Sequence, residues 1–315
     1  MGSASRLIPW VVLFFFVGPL TAQPTQPSQV GRFEMVRPLP LDSEYNKWIG
    51  SVSRKYGLAL PGKNFEDLRS MVLQPDGRVV RRSGDEPSTQ PSREIFDVYV
   101  PPNFQPGKKY GLIVWIEPQP GAGLPDEWID VLDRQGIIWI APADIGNETH
   151  SVWRIFMALQ ATMYAKRSFP IDSTRVYVAG LSGGGRIASH TVMFYPEIYT
   201  GLFAMCGVNF YRNVPAGEKK IYPGFWPNPD ARLVEKSRRN SRFVMLTGQN
   251  DFNRDSTKAA YDAFVKERFP FVTYLEVPDM GHSIPDATWF EKGIEALDAH
   301  LKRRTGPTTA PGGRR

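Results

Sequence analysis

Between residues 93 and 304 the chain switches repeatedly between two hydrophobic periods. Short apolar or alternating runs at Ile95 to Val100, Gly111 to Ile116, Ile137 to Ile140, Val176 to Ala179, Leu202 to Cys206, Phe243 to Leu246 and Val272 to Val277 predict strands. Helical spacing near 126–134, 152–167, 185–195, 256–268 and 287–303 separates them. Such alternation predicts the α/β class: a mostly parallel central sheet with helices on both faces. Leu112 to Ile116 and Gly201 to Met205 are nearly all apolar, as strands covered on both faces need to be.

The pattern breaks over 207–240, a stretch carrying Phe210, Tyr211, Tyr222, Phe225 and Trp226 among several prolines. It is long for a plain connection. Two placements are open: an insertion that walls or covers an active-site mouth, or a loop packed on the sheet edge.

Upstream of residue 93 the pattern is different. Arg6 precedes an apolar run, Leu7 to Leu20, and Leu20-Thr21-Ala22 then ends in a small residue. The run is shorter than the ~20 residues of a membrane span and contains prolines, so residues 1–22 are expected to be an export signal. Residues 23–41, rich in Pro, Gln, Thr and Ser, predict a flexible leader. Within 42–92, an N-terminal extension, Ser43 can cap a helix that puts Trp48, Ile49, Val52 and Tyr56 on one face. Pro75-Asp76-Gly77 predicts a hairpin turn, and Ser83 to Pro91 a loop. The main domain is expected over 93–304 and a Pro/Gly tail over 305–315.

Composition narrows the function classes. The chain has 315 residues, 42% of them hydrophobic, enough for a large core. Cys206 is the one cysteine, so an internal disulfide is excluded; its apolar surroundings predict a buried thiol. The net charge of +6 is spread along the chain, with a small cluster at Lys302, Arg303 and Arg304. No basic stripe with interleaved aromatics argues for nucleic acid.

The chemistry concentrates at Gly180-Leu181-Ser182-Gly183-Gly184, a G-x-S-x-G placed directly after a strand pattern and before a helical one. A serine on such a sharp turn stands clear of the backbone as a nucleophile, and the Gly183 amide at the helix N-terminus can hold an oxyanion. The same glycines match G-x-G-x-x-A over Gly183 to Ala188. A dinucleotide site would need a carboxylate at the end of the next strand, where Met205-Cys206-Gly207-Val208 stands instead. The lysine of a phosphate loop is missing, and no metal-ligand spacing is found.

A serine nucleophile requires a base and an acid, in chain order Ser, Asp, His. Of four histidines, His150 lies upstream, His190 on the helix leaving the elbow and His300 on the terminal helix. His282 alone follows the last strand, beside Gly281, and is the expected base. After the Phe243 to Leu246 strand come Asp251 and Asp255. Asp255 precedes a helical run and has a capping role of its own, so Asp251 is the expected acid, with Asp255 and Asp279 as alternatives. The second oxyanion donor is expected in Glu117-Pro118-Gln119-Pro120-Gly121-Ala122. Proline has no N–H to give, which leaves Gln119 as the best-placed amide at the turn, with Gly121 and Ala122 behind it. Asn147-Glu148-Thr149 is also a glycosylation sequon.

The segment Ile171-Asp172-Ser173-Thr174-Arg175-Val176-Tyr177-Val178-Ala179-Gly180-Leu181-Ser182-Gly183-Gly184 resembles the secreted polyhydroxybutyrate depolymerase and feruloyl esterase-like group of α/β-hydrolases, over about residues 93–303. The resemblance implies the α/β-hydrolase fold and a serine esterase acting outside the cytoplasm, secreted or periplasmic, with Ser182, Asp251 and His282 as its triad. It implies a small-molecule or polymeric ester substrate and no cofactor or metal. The chain departs from this group where many members carry a His-Gly pair in the oxyanion loop; here Glu117-Pro118 stands. A peptidase on the same fold and a hydrolase-fold binding protein are the competing functions.

Overall fold

In the computed structural model, which describes residues 30–38, 71–73, 79–81, 93–216, 220–225 and 228–304, the chain begins with strand β1 (Gly31–Pro38) and a small antiparallel hairpin, β2 (Met71–Leu73) and β3 (Val79–Arg81). Then follow β4 (Arg93–Val100), β5 (Tyr110–Ile116), a single 3₁₀ turn (Asp126–Trp128), α1 (Ile129–Gln135), β6 (Ile137–Pro142), α2 (Ser151–Ser168), β7 (Ile171–Leu181), α3 (Gly183–Phe194) and β8 (Gly201–Met205). A two-stranded ribbon, β9 (Val214–Pro215) and β10 (Ile221–Tyr222), leads to α4 (Ala231–Asn240). The chain continues through β11 (Arg242–Gly248), α5 (Arg254–Lys266), β12 (Val272–Val277) and α6 (Ala287–Arg304).

Eight strands form one sheet in the order β1-β4-β6-β5-β7-β8-β11-β12. β4 runs antiparallel to both neighbours, and every other pair in the sheet is parallel. This order, with one reversed strand near its start and helices crossing over on both faces, is the α/β-hydrolase fold.

Strand alternation builds two cores. On β5, Leu112, Val114 and Ile116 face one layer while Ile113 and Trp115 face the other; on β7, Val176 and Val178 oppose Tyr177 and Ala179. The first layer is closed by α2, α3 and α5, the second by α1 and α6. α2 is buried nearly all round, from Val152 to Ala165, which is why its sequence is close to continuously apolar. Arg175 on β7 pairs with Asp298 on α6 at 2.7 Å, fastening that helix to the sheet. Among the described residues, no helix is long and apolar enough to cross a membrane.

Three expectations change. The leader placed over 23–41 gives way in part to β1, which pairs with β4 from Gly31↔Val100 to Pro38↔Arg93. Arg32 on this strand holds Asp97 at 2.8 Å and donates to the Leu124 carbonyl. The strand exists because an open edge of β4 offers it backbone partners, a condition invisible in its own Pro-flanked sequence. The broken stretch 207–240 contains α4, capped by Asp230, whose carboxylate accepts from the Leu233 amide. It is a short, mostly charged and polar helix whose narrow apolar side, Val234 with Leu233 beside it, packs on the first core. Asp255 is not a helix cap: α5 begins two residues earlier than expected, with Asn253 at the cap and Asp255 in the first turn.

Phe210, Tyr211 and Phe225 of the 207–240 stretch are buried in the first core, Phe210 edge-on against Phe264. β2 and β3 flank the turn predicted at Pro75-Asp76-Gly77. The export signal 1–22, the helix expected from Ser43, the loop 83–91 and the tail 305–315 lie outside the described residues.

Candidate active site

Ligands of open α/β sheets gather beyond the carboxyl ends of the strands. That edge holds Ser182, at the end of β7, together with the loops following β11 and β12. Ser182 has φ 53° and ψ −118°, a conformation in which an L-residue is strained, and the helix α3 starts at the next residue. The positive φ falls on the serine rather than on its glycines. The glycines answer to space: a Cβ on Gly184 would lie 1.8 Å from the Ile116 carbonyl oxygen, and one on Gly180 would lie 2.6 Å from it. The elbow is thus pressed onto the end of β5. It is also tied to β8, because the Ser182 amide donates to the Met205 carbonyl at 2.8 Å.

The acid and the histidine meet across the loops that follow β11 and β12. Asp251 Oδ1 lies 2.7 Å from His282 Nδ1. The same oxygen accepts from the Asn253 amide at 2.9 Å, and Oδ2 accepts from the Thr247 hydroxyl at 2.6 Å. The Asp251 side chain is fully shielded, so these three donors replace the water it has lost. With the carboxylate accepting, Nδ1 of His282 carries the proton and Nε2 keeps its lone pair. Further bonds join the two loops. The Asn250 amide donates to the Met280 carbonyl, and the Asp279 amide to Gln249 Oε1. The carboxylate on His282 is therefore that of Asp251, while Asp255 sits in the first turn of α5 and Asp279 lies two residues past β12.

Cys206 links the pair to the elbow. Its thiol, an Asp251 carboxylate oxygen and a His282 ring nitrogen all lie within 4.8 Å of one another, and its chain neighbours Met205 and Gly207 both touch Ser182. Burial, with the nearby Asp251 charge, pushes the Cys206 thiol up to about 12, so it stays protonated and unreactive at neutral pH.

His150 and His190 have structural roles. His150 caps α2 by accepting from the Val152 amide through Nδ1. His190 lies tilted against Phe225 with centroids 3.9 Å apart, and neither ring nitrogen has a hydrogen-bond partner. Burial, reinforced by Arg186 and Arg154, pushes its pKa down to about 3. The unfolded chain takes up a proton here near pH 6.5 and the folded protein does not. The stability contributed by neutral His190 is therefore complete above pH 6.5 and is lost, at about 1.4 kcal/mol per pH unit, as pH falls towards 3. Removing the group with His190→Phe is expected to spare about 2–3 kcal/mol of the loss between pH 6.5 and 4.5, measured by urea denaturation at both values. Identical losses in the two proteins would refute the assignment.

The loop Glu117 to Ala122 is held by its carbonyls. Arg154 donates to Glu117 O at 2.8 Å, the Asn147 amide to Pro118 O at 2.8 Å and the Asp144 amide to Pro120 O at 2.7 Å. These bonds fix the peptide of Gln119, which is exposed, between two prolines that have no N–H. The Gly183 amide, first in α3, has no acceptor within its helix. Glu117 turns its carboxyl to the Trp115 indole N–H; burial raises its pKa, against the opposing pull of Trp115 and Arg154.

Several residues escaped the sequence analysis. Asn147 Oδ1 sits where a Cβ on Gly183 would be 1.9 Å away, and it accepts from Arg154 Nη1. The sequon asparagine is therefore engaged at the site itself. Arg186 reaches Asn209 Oδ1 at 2.6 Å and Asn253 Oδ1 at 3.2 Å, and Asn253 in turn donates to the Cys206 carbonyl. Burial lowers the Arg186 pKa and the Asp251 charge opposes that shift. Two of these had a local signal: Arg186 is one helical turn from Ser182, and Asn253 stands two residues after an aspartate, the spacing of a side-chain-capped turn.

No protein-family model matches the chain, and no curated protein matches its sequence. Solved structures are similar to it in backbone. A ferulic acid esterase is 17% identical, with a TM-score of 0.47, over 67% of this chain and 92% of that one. An esterase from the Planctomycetes species Thermogutta terrifontis is 13% identical, with a TM-score of 0.47, over 70% of this chain and 92% of that one. A puromycin-hydrolysing peptidase from Mycobacterium tuberculosis is 17% identical, with a TM-score of 0.46, over 67% of this chain; the match spans 36% of that protein's length.

Proposed function

We propose that this chain is an extracytoplasmic serine esterase that cleaves carboxylic esters through an acyl-enzyme on Ser182. The observation that carries the proposal is the 2.7 Å bond between Asp251 and His282, made at the same sheet edge at which the strained elbow presents Ser182.

In this mechanism His282 Nε2 takes the Ser182 hydroxyl proton as the oxygen attacks the acyl carbon. The tetrahedral oxyanion is held by the Gly183 amide and the Gln119 amide. Collapse expels the alcohol, which leaves with the proton from Nε2. Water then enters, gives a proton to the same nitrogen and attacks the acyl carbon; the acid departs and Ser182 regains its hydrogen. Asp251 keeps the imidazole in the reactive tautomer and offsets the positive charge that it gains. No step calls for a cofactor or a metal. The sequence of the elbow and its preceding strand supports a reading as a relative of the polyhydroxybutyrate depolymerase and feruloyl esterase-like group, with soluble esters favoured over solid polymer as substrates. Residues 1–22 would direct it out of the cytoplasm.

The test is a panel of aryl, short-chain and feruloyl esters with the purified protein, alongside a fluorophosphonate probe and amide analogues. Covalent labelling at Ser182 and ester turnover well above amide turnover are expected. Amide cleavage at a comparable rate would replace the esterase with a peptidase. A folded protein that neither takes the label nor turns over any ester would be a binding protein on a hydrolase scaffold.

A further inference from the structure

Phe252 is the one aromatic residue among the large apolar side chains that are exposed in the described part of the chain, and it is 78% exposed. Its ring lies on the imidazole of His282, with centroids 4.0 Å apart and planes 25° from parallel. One face of the phenyl ring thus covers the histidine and the other is open to solvent.

The arrangement is built by the backbone. Phe252 occupies a turn pinned on both sides: the Asp251 amide donates to the Gly248 carbonyl, the Asn253 amide to Asp251 Oδ1, and the Arg254 amide to the Asp251 carbonyl. The turn that sends Asp251 inward to Nδ1 therefore places its neighbour outward, over the same imidazole. A phenyl group left in water at such a fixed position is poised to bury its open face against a ligand, because aromatic pairs stack favourably at such ring separations.

We infer that Phe252 is the platform of an alcohol-side subsite that selects esters of aromatic alcohols. The inference rests on the esterase reading above. It follows from the proton path: the imidazole must hand its proton to the departing alkoxide, so the alcohol half of the ester stands beside His282 and the acyl half lies towards the elbow and the Gln119 loop. A flat aromatic group on the alcohol meets Phe252; a methyl group is too short to reach it.

The test compares methyl and benzyl esters of one acid, whose leaving alcohols have similar acidity. For Phe252→Ala the benzyl-to-methyl ratio of kcat/KM is expected to fall about tenfold, as loss of one stacked ring predicts, and mostly through KM of the benzyl ester. Phe252→Trp is expected to keep the ratio. Varying the acyl group at fixed methanol should show no comparable change in preference. Equal losses on both alcohols, or a change in acyl preference instead, would overturn the platform.

A second arm does not need turnover. In a Ser182→Ala background, adding Phe252→Ala is expected to weaken binding of the benzyl ester by about tenfold relative to the methyl ester. Unchanged relative binding overturns the platform. The expected difference in a protein whose Ser182 form hydrolyses no ester would support the platform and remove the esterase.

Discussion

Ser182→Ala is expected to lose ester turnover by on the order of 10⁶-fold while keeping its fold, because nucleophile and base act as a unit and little survives the removal of either. The residual rate would come from the Gly183 and Gln119 amides and from substrate positioning. Alanine also relieves nothing essential to folding: the hydroxyl makes none of the contacts that set the elbow. Those belong to the Ser182 amide, which bonds Met205 O, and to the missing side chains of Gly180 and Gly184, which lie against Ile116. The measurement is kcat/KM on the best ester of the panel, together with circular dichroism and fluorophosphonate labelling. A variant that is folded, unlabelled and still within tenfold of the parent rate would remove Ser182 from the chemistry.

The second large effect is expected at Asp251. Asp251→Asn keeps the shape of the side chain and removes its charge. If the amide oxygen faces Thr247, its NH₂ points at both the Asn253 amide and His282 Nδ1, forcing the imidazole proton onto Nε2, where it blocks uptake of the serine proton. If the oxygen faces His282, the Thr247 hydroxyl must turn about to accept, and the imidazolium formed in the reaction has no anion beside it. Either arrangement is expected to lower kcat on the order of 10⁴-fold, the loss found when a triad carboxylate becomes an amide. Asp255→Asn is the control. Its carboxylate lies in the first turn of α5, where it adds a modest favourable interaction with the helix dipole, and activity close to the parent is expected. A loss at Asp255 matching that at Asp251 would reassign the acid.

The elements that hold these residues were legible from local pattern to different degrees. β12 was placed at Val272–Val277 from its sequence alone, and the central strands β5, β6 and β8 differ from expectation by one or two residues at their ends. β7 is longer than its apolar stretch: it begins at Ile171, where Asp172, Ser173 and Thr174 stand outside the core. α4 escaped because it is only ten residues long and mostly charged and polar, with few apolar residues to mark it inside a proline-rich stretch. The site followed the same division. The elbow was visible because strand, turn and helix are adjacent in the chain. The donors that hold Asp251 were not, since nothing local marks Thr247 as the partner of a carboxylate four residues on.

What the sequence by itself determined is therefore the local part: period-two and helical runs that decide which segments become strands or helices, the turn that lifts Ser182, and the loop order that singles out His282. Those follow from backbone sterics and side-chain burial within a few residues. Only the tertiary structure decided that β1 covers the edge of β4, that Gly184 must lack a side chain because Ile116 O occupies its place, that Arg186 meets Asn209 and Asn253, and that Asn147 lies against Gly183. These are contacts between segments separated by tens of residues. They form because closing the sheet brings distant loops to one edge, where buried polar groups must find partners in place of water.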